Sequence, residues 1–371
     1  MPHQPYKALY IHIPFCVKRC GYCDFATAAI PRDDKRIDEY VEQLVVDIRR
    51  QAKAGELAAV ETVYIGGGTP SHIGLSRLSS LLYALSVSVD LTREGMEFTM
   101  EANPESLDGN MVRDIWALGV NRLSIGVQSF DDGVLGMLGR AHDAQRARDA
   151  VRMAQERFEN VSIDLMCGIP GQSAESFEAS LQEAVRLGVK HISVYPLAIE
   201  PHTPFDQLVL AEEMEEPDED VEAEHMELAE RVLAAHGFAR YEVASYALPG
   251  FESRHNSSYW TGVPYLGIGT SATTMTQNDE RRMRVTDGEV VDDLDRRQME
   301  AEDLMLGMRL ARGVSDERLT QAAGYLEEAP RAMEELAAEG YVEHVDGRWR
   351  PTRQGWLCGN DLYGRLLDLA P

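Results

Sequence analysis

Between Lys7 and about Gly237 the chain alternates short β-rich runs with amphipathic helical ones, six times over. ALYIHI (8–13), TVYIG (62–66), EFTME (97–101), RLSIGV (122–127), VSIDLM (161–166) and HISVYP (191–196) read as strands. They are apolar on consecutive positions, as parallel strands buried on both faces are. Helical periods lie between them. Ile37, Tyr40, Leu44 and Ile48 recur at helical spacing behind Asp33 and Asp34, which read as caps. Phe177, Leu181 and Val185 do the same ahead of Gly188, a residue suited to the left-handed turn after a helix. Successive β/α units require a parallel sheet with right-handed crossovers. Six units fall short of the eight of a closed TIM barrel. The expected fold is therefore α/β, an open, partial (β/α)6 TIM-like barrel over residues 1–237.

In parallel α/β folds function gathers on the loops after the strands' C-terminal ends. Here the first strand is followed by a loop holding Cys16, Cys20 and Cys23, and the second by GGGTP. Glu101 ends the third strand, Gln128 the fourth, and Asp164 lies within the fifth. These groups are expected to meet on one rim.

Past Gly237 the pattern changes. YEVASY (241–246) and RMRVTDGEVV (282–291) read as strands, the latter a hairpin turning at Asp287–Gly288, so 238–291 is expected to be a β-rich extension. From about Asp292 helices return: one to start, a short one from Ser315, one near 327–338, then a hairpin with Asp346–Gly347 at its tip and a last helix. That order suggests a small winged-helix-like α+β domain over 292–371. Its recognition-type helix carries Glu327, Glu328, Glu334 and Glu335 against Arg331, the wrong sign for phosphate contact. The net charge of −26 likewise argues against nucleic acid. Residues 212–224 hold nine acids in thirteen and read as a solvated loop and helix start. There is no apolar run of membrane-spanning length and no signal-peptide pattern, so a cytoplasmic location with reduced thiols is expected. Cys167 and Cys358 stand alone and read as small buried residues.

The three clustered cysteines are spaced C-x3-C-x2-C. A closed structural site takes four protein ligands. Three thiolates can instead hold three corners of a [4Fe–4S] cube, leaving the fourth iron for the amino and carboxylate groups of S-adenosylmethionine. A sulfonium beside a low-potential cluster can be cleaved to a 5′-deoxyadenosyl radical. The competing reading is a zinc site with His12 as fourth ligand. Gly66, Gly67 and Gly68 allow close backbone approach to a ligand.

The spacing resembles that of the radical S-adenosylmethionine superfamily. YIHIPFCVKRCGYCDF, YIGGGTPS, EANPES, NRLSIGVQSF, LGRAH, IDLMCGIPGQ and VYPLAIEPHTP follow in order and resemble the oxygen-independent coproporphyrinogen III oxidase family, over roughly residues 7–290. The resemblance implies that Tyr10 packs beside the cluster. It implies too that Gly67, Gly68, Thr69, Glu101, Gln128, Arg140, Asp164 and Ala198 line the S-adenosylmethionine pocket. Two departures point to the sister branch of haem chaperones. The oxidase has a further cysteine where this chain has Phe25, and a long N-terminal arm where only nine residues precede Tyr10. HNSSYW, His255 to Trp260, matches that branch's HNxxYW signature and offers His255 as a haem ligand. The implied function is haem binding and delivery to acceptor haemoproteins. Radical decarboxylation of coproporphyrinogen III is the alternative, so whether the chain is an enzyme stays open. An electron donor is implied, and any membrane contact would be peripheral, through the acceptors. Monomer and homodimer both remain open.

Overall fold

The computed structural model describes residues 3–371. The six expected strands are β1 (Ala8–Ile13), β2 (Thr62–Gly67), β3 (Glu97–Ala102), β4 (Arg122–Gln128), β5 (Asn160–Cys167) and β6 (His191–Pro196). Each pairs in parallel with the next. The helix Lys35–Ala54 is capped by Asp34, whose side chain accepts from the Arg36 N–H, and Ala174–Leu187 ends on Gly188 at φ 74°.

A seventh parallel strand, β7 (Tyr265–Ile268), lies beside β1. From it β8 (Thr273–Gln277), β9 (Arg281–Thr286) and β10 (Glu289–Asp295) continue antiparallel. The expected 282–291 hairpin is β9–β10, turning at Asp287 and Gly288, both at positive φ. At the other edge β6 is followed by the short strands Ser245–Ala247 and Ala239–Arg240. The twelve strands run in linear order, so the barrel stays open. The expected strand 241–246 survives only at its end. The Glu242 carboxylate accepts from the Ala244 N–H and turns the chain there.

The strands are not apolar on both faces. Leu9, Ile11, Val63, Ile65, Phe98, Met100, Leu123, Ile125, Ile163 and Leu165 belong to the core shared with the helices. The alternate positions carry Tyr10, Tyr64, Thr99, Glu101, Arg122, Ser124, Ser162, Asp164, His191 and Ser193. Register keeps these on one face: Tyr10 opposite Tyr64, Tyr64 opposite Thr99, Glu101 opposite Ser124, and Ser162 opposite His191. A closed barrel fills its interior with branched apolar layers. An open one can keep a polar lumen if its groups find partners. Ser162 Oγ and His191 Nδ1 are 2.7 Å apart, and His191 Nε2 meets the Tyr241 hydroxyl at 2.8 Å.

The C-terminal part has its own core, which includes Leu304, Met308, Met333, Leu336 and Leu362. Its order is helix Arg296–Met308, strand Val314–Ser315, helices Asp316–Ala323 and Ala329–Ala338, a hairpin of Val342–Val345 and Arg348–Pro351, and helices Arg353–Leu357 and Gly359–Leu367. The three strands form one small sheet, giving the wing. Cys358 sits between the last two helices and is exposed, against expectation, whereas Cys167 is buried. The turn of chain joining those helices faces outward. Among the described residues no helix is long and apolar enough to cross a membrane.

Arg282 ties this part to the sheet. It is 1% exposed and pairs with Glu302 and, at 2.7 Å, with Asp303, both on the helix Arg296–Met308. Glu302 keeps Arg284 at 2.8 Å and Asp303 keeps Arg318 at 3.1 Å, so removing Arg282 leaves neither carboxylate unpaired. Arg282→Ala should lower unfolding free energy by about 1–3 kcal/mol in urea titration, the loss of hydrogen bonds to charged groups.

Candidate functional site

The cysteine loop leaves β1 through a two-residue strand, Phe15–Cys16, that pairs with Ala28–Ala29 and closes the loop on itself. Cys16, Cys20 and Cys23 are free thiols, each partly exposed. All three line one pocket, open to solvent, at the C-terminal ends of the parallel strands. Two sulfurs already have donors. The Thr69 hydroxyl lies 3.4 Å from Cys16 Sγ, and Arg140 Nη1 lies 3.4 Å from Cys20 Sγ. Donors aimed at sulfur suit thiolates bound to a metal cluster. Burial pushes the Cys16 thiol up to about 11, so a thiolate there calls for a cationic partner.

His12 is not a fourth ligand in this arrangement. Its Nδ1 meets the Tyr10 hydroxyl at 3.0 Å and its Nε2 the Ala26 carbonyl at 3.1 Å. The donor set is three sulfurs from one loop, which fits a cube with one corner left for a chelate.

The opposite wall of the pocket is backbone and carboxyl. Gly67 has φ 114°, a value that favours glycine, and a Cβ on Gly68 would come within 3.0 Å of Cys16 Sγ. Glu101 accepts from the Tyr64 hydroxyl at 2.7 Å and from the Gly67 N–H at 3.0 Å. Burial raises its carboxyl to about 7, against those hydrogen bonds and with help from nearby Asp164. Asp164 is itself raised to about 6 by burial, opposed by a Ser193 hydrogen bond and by the Arg122 charge. It makes no ion pair among the described residues. Gln128 sits at φ 68°, where the β4–β5 register slips, and this turns its side chain to the pocket.

Of the residues expected around S-adenosylmethionine, Gly67, Gly68, Glu101, Gln128, Arg140 and Asp164 line the pocket with the cysteines. Thr69 stands behind them, 1% exposed, braced by Asn103 Nδ2 at 2.9 Å. Tyr10 faces Tyr64 and His12, not the sulfurs. Ala198 is exposed on the loop after β6, outside the pocket lining. Arg140 Nη2 gives two bonds, to Asn103 Oδ1 and the Gly126 carbonyl (2.9 and 2.7 Å), while Nη1 faces Cys20 Sγ. Asn103 was not singled out from the sequence. Its place in EANPES, two residues past Glu101, is the signal that could have found it. Tyr22 and Ser124, which carry the same kind of signal in CGYC and NRLSIGVQSF, also line the pocket, as does Thr27, which lies outside those runs.

His255 lies elsewhere, below the lumen. It is 1% exposed on the helix Arg254–Trp260. Nδ1 meets Thr62 Oγ1 at 2.9 Å and Nε2 the Tyr259 hydroxyl at 3.0 Å. Burial lowers its imidazole to about 3, so the ring is neutral and one nitrogen donates while the other accepts. Both nitrogens are committed, and iron can reach the ring only after this helix releases it.

Comparison with known proteins places this geometry. Residues 10–184 match the radical SAM superfamily model and residues 294–358 the HemN C-terminal domain model. A Bacillus subtilis protein named heme chaperone HemW is 34% identical over 97% of this chain and 99% of its own length. The Escherichia coli protein of the same name is 34% identical over 96% of this chain and 97% of its own. The solved structure of Escherichia coli coproporphyrinogen III oxidase, HemN, shares the fold with a TM-score of 0.78 at 22% identity, covering 98% of this chain and 90% of that one.

The raised carboxyls fix a pH dependence. A folded-state pKa above the unfolded one means the folded chain keeps a proton that the unfolded chain releases. The stability from that proton is present below about pH 4 and is lost as pH rises through 6–7. Glu101→Gln should therefore raise the melting temperature of cluster-free protein at pH 8, by roughly 1–2 °C for each kcal/mol recovered. The gain should vanish toward pH 4, as a melting series from pH 4 to 8 would record.

Proposed function

We infer that this chain binds haem and passes it to acceptor haemoproteins, and the premise is its family: it belongs to the haem chaperone HemW family, within the radical S-adenosylmethionine superfamily. When bound, a [4Fe–4S] cluster with S-adenosylmethionine at its open iron supplies one-electron reductive chemistry. Cys16, Cys20 and Cys23 would hold the cluster. Gly67 and Gly68 would offer backbone to the methionine end, and Glu101 and Asp164 would accept from hydroxyl or amine groups. Arg140 steadies the loop by holding Cys20 and Asn103 together. Thr69 does the same for Cys16. In a haem carrier these groups serve structure or regulation, dimerisation for instance, and an electron donor meets the partly exposed cysteine loop from solvent.

The single observation that carries this reading is the meeting of three cysteines, a glycine turn and two lumen carboxyls on one rim, in a chain related to HemW proteins along its whole length. The second reading, oxidative decarboxylation of coproporphyrinogen III, draws on the shared fold, the HemN C-terminal domain match and the ordered motifs. Phe25 weighs against it. It replaces the oxidase-type cysteine and stands 63% exposed in the pocket lining.

The test uses anaerobically reconstituted protein with coproporphyrinogen III, reductant and S-adenosylmethionine. No protoporphyrinogen should form, while haem-loaded protein should convert an apo-haemoprotein to its holo form. Protoporphyrinogen in the first assay overturns the chaperone reading. Cys20→Ser should lose most of its iron and sulfide on elemental analysis, because two cysteines cannot hold three corners of the cube.

A further inference from the structure

The motif helix Arg254–Trp260 closes the bottom of the lumen, and the attachments of its first turn lead to the strands of the pocket wall. Glu97, at the start of β3, accepts from the Arg254 and His255 N–H groups at 2.8 and 2.9 Å. This fixes the helix N-terminus against the strand that ends in Glu101. The Ser253 N–H donates to the Tyr241 hydroxyl at 3.1 Å, and that hydroxyl meets His191 on β6. The His255 ring is held from two sides, by Thr62 on β2 and by Tyr259 one helical turn on.

On its open face the same ring stacks on Tyr64, with centroids 5.0 Å apart and planes 28° from parallel. Tyr64 lies on β2 two residues beyond Thr62. Its hydroxyl donates to Glu101 Oε1 at 2.7 Å, and the other carboxyl oxygen takes the Gly67 N–H. A phenol that is to direct a buried carboxylate must have its own ring fixed. Beyond the tilted Tyr10 ring at 6.2 Å, the close stacking partner is His255.

We propose that His255 is a positioning residue of the S-adenosylmethionine pocket: through its stack on Tyr64 it holds the Tyr64 hydroxyl on Glu101, and so fixes the carboxyl group that lines the pocket and the Gly67 turn bonded to it. The histidine touches neither ligand nor cluster. The inference rests on the pocket being the S-adenosylmethionine site, as proposed above.

The experiment measures S-adenosylmethionine affinity by equilibrium dialysis on anaerobically reconstituted wild type, His255→Ala, His255→Phe, Tyr64→Phe and the His255→Ala/Tyr64→Phe double variant. Iron content and circular dichroism are recorded for each. His255→Ala and Tyr64→Phe should each weaken binding roughly 10-fold, the loss of one hydrogen bond to a charged group. The double variant should be no weaker than either single one, because both changes break the same chain. His255→Phe keeps a ring on Tyr64 and should recover most of the loss, with iron content unchanged throughout. Wild-type affinity in His255→Ala with a full cluster overturns the inference, as does a double variant whose losses multiply. Tyr64→Phe keeps the comparison decisive should the alanine variant fail to fold: unaltered affinity there also overturns it. A wild type that takes up cluster but binds no S-adenosylmethionine overturns the cofactor reading itself, a result distinct from the other two.

Discussion

Two carboxyl groups inside a barrel are the constraint around which this molecule is arranged. Glu101 and Asp164 stand on one face of the sheet, and burial disfavours the charged form of each. Such groups are tolerable only with donors in place. The Tyr64 hydroxyl and Gly67 N–H supply them to Glu101. Arg122, 1% exposed at the start of β4 and in no ion pair among the described residues, contributes positive charge to both. The alternation of polar and apolar positions along the strands follows. Each strand gives its aliphatic residues to the helices and its polar residues to the lumen.

The cysteine loop is the complement of that wall. Thiols are soft donors on a flexible segment, and they need a fixed base to present a cluster in one orientation. The base is provided by pairing Phe15–Cys16 with Ala28–Ala29, and by Thr69 and Arg140, which come from other parts of the rim. Arg140 also holds Asn103, and Asn103 holds Thr69, so the donors to two different sulfurs belong to one hydrogen-bonded chain. A shift in the loop after β3 would thus be felt at both Cys16 and Cys20.

Much of this was legible in the sequence. All six barrel strands and the two capped helices stand where β-branched runs and periodic apolar residues put them, and most of the pocket follows from strand ends. The misses share a cause. Tyr and Thr suit strands sterically and a lone Ser does not break an apolar run, so TVYIG and RLSIGV read as buried on both faces when only one face is apolar. β7 and β8 were hidden because YLGIGTSATT mixes glycine with small polar residues, and β7 is defined by its pairing with β1 across more than 250 residues of chain. Tyr10 and Ala198 carried expectations from resemblance alone, and nothing in their local pattern reports which way a side chain turns. His255 is the instructive case: its type suited a metal ligand, while its burial depended on a helix docking beneath strands far away in sequence.

That helix also reaches the other end of the molecule. At its C-terminus the Trp260 ring lies under the Arg309 guanidinium at 4.3 Å, and Arg309 faces Tyr363 of the C-terminal core at 5.1 Å. Its first turn is held by Glu97, Thr62 and Tyr64, the last two through the His255 ring. One seven-residue helix therefore touches the strands under Glu101 and the wing-bearing part of the chain. Contiguity of this kind becomes coupling only where an element has two arrangements that both sites bias. The present arrangement has the imidazole locked, neutral and out of reach. An arrangement with the ring free for iron would have to break its contacts to Thr62, Tyr64 and Tyr259 together. Ligation of iron by His255 would therefore draw this helix away from the strand that carries Tyr64, and with it the hydroxyl that Glu101 accepts from.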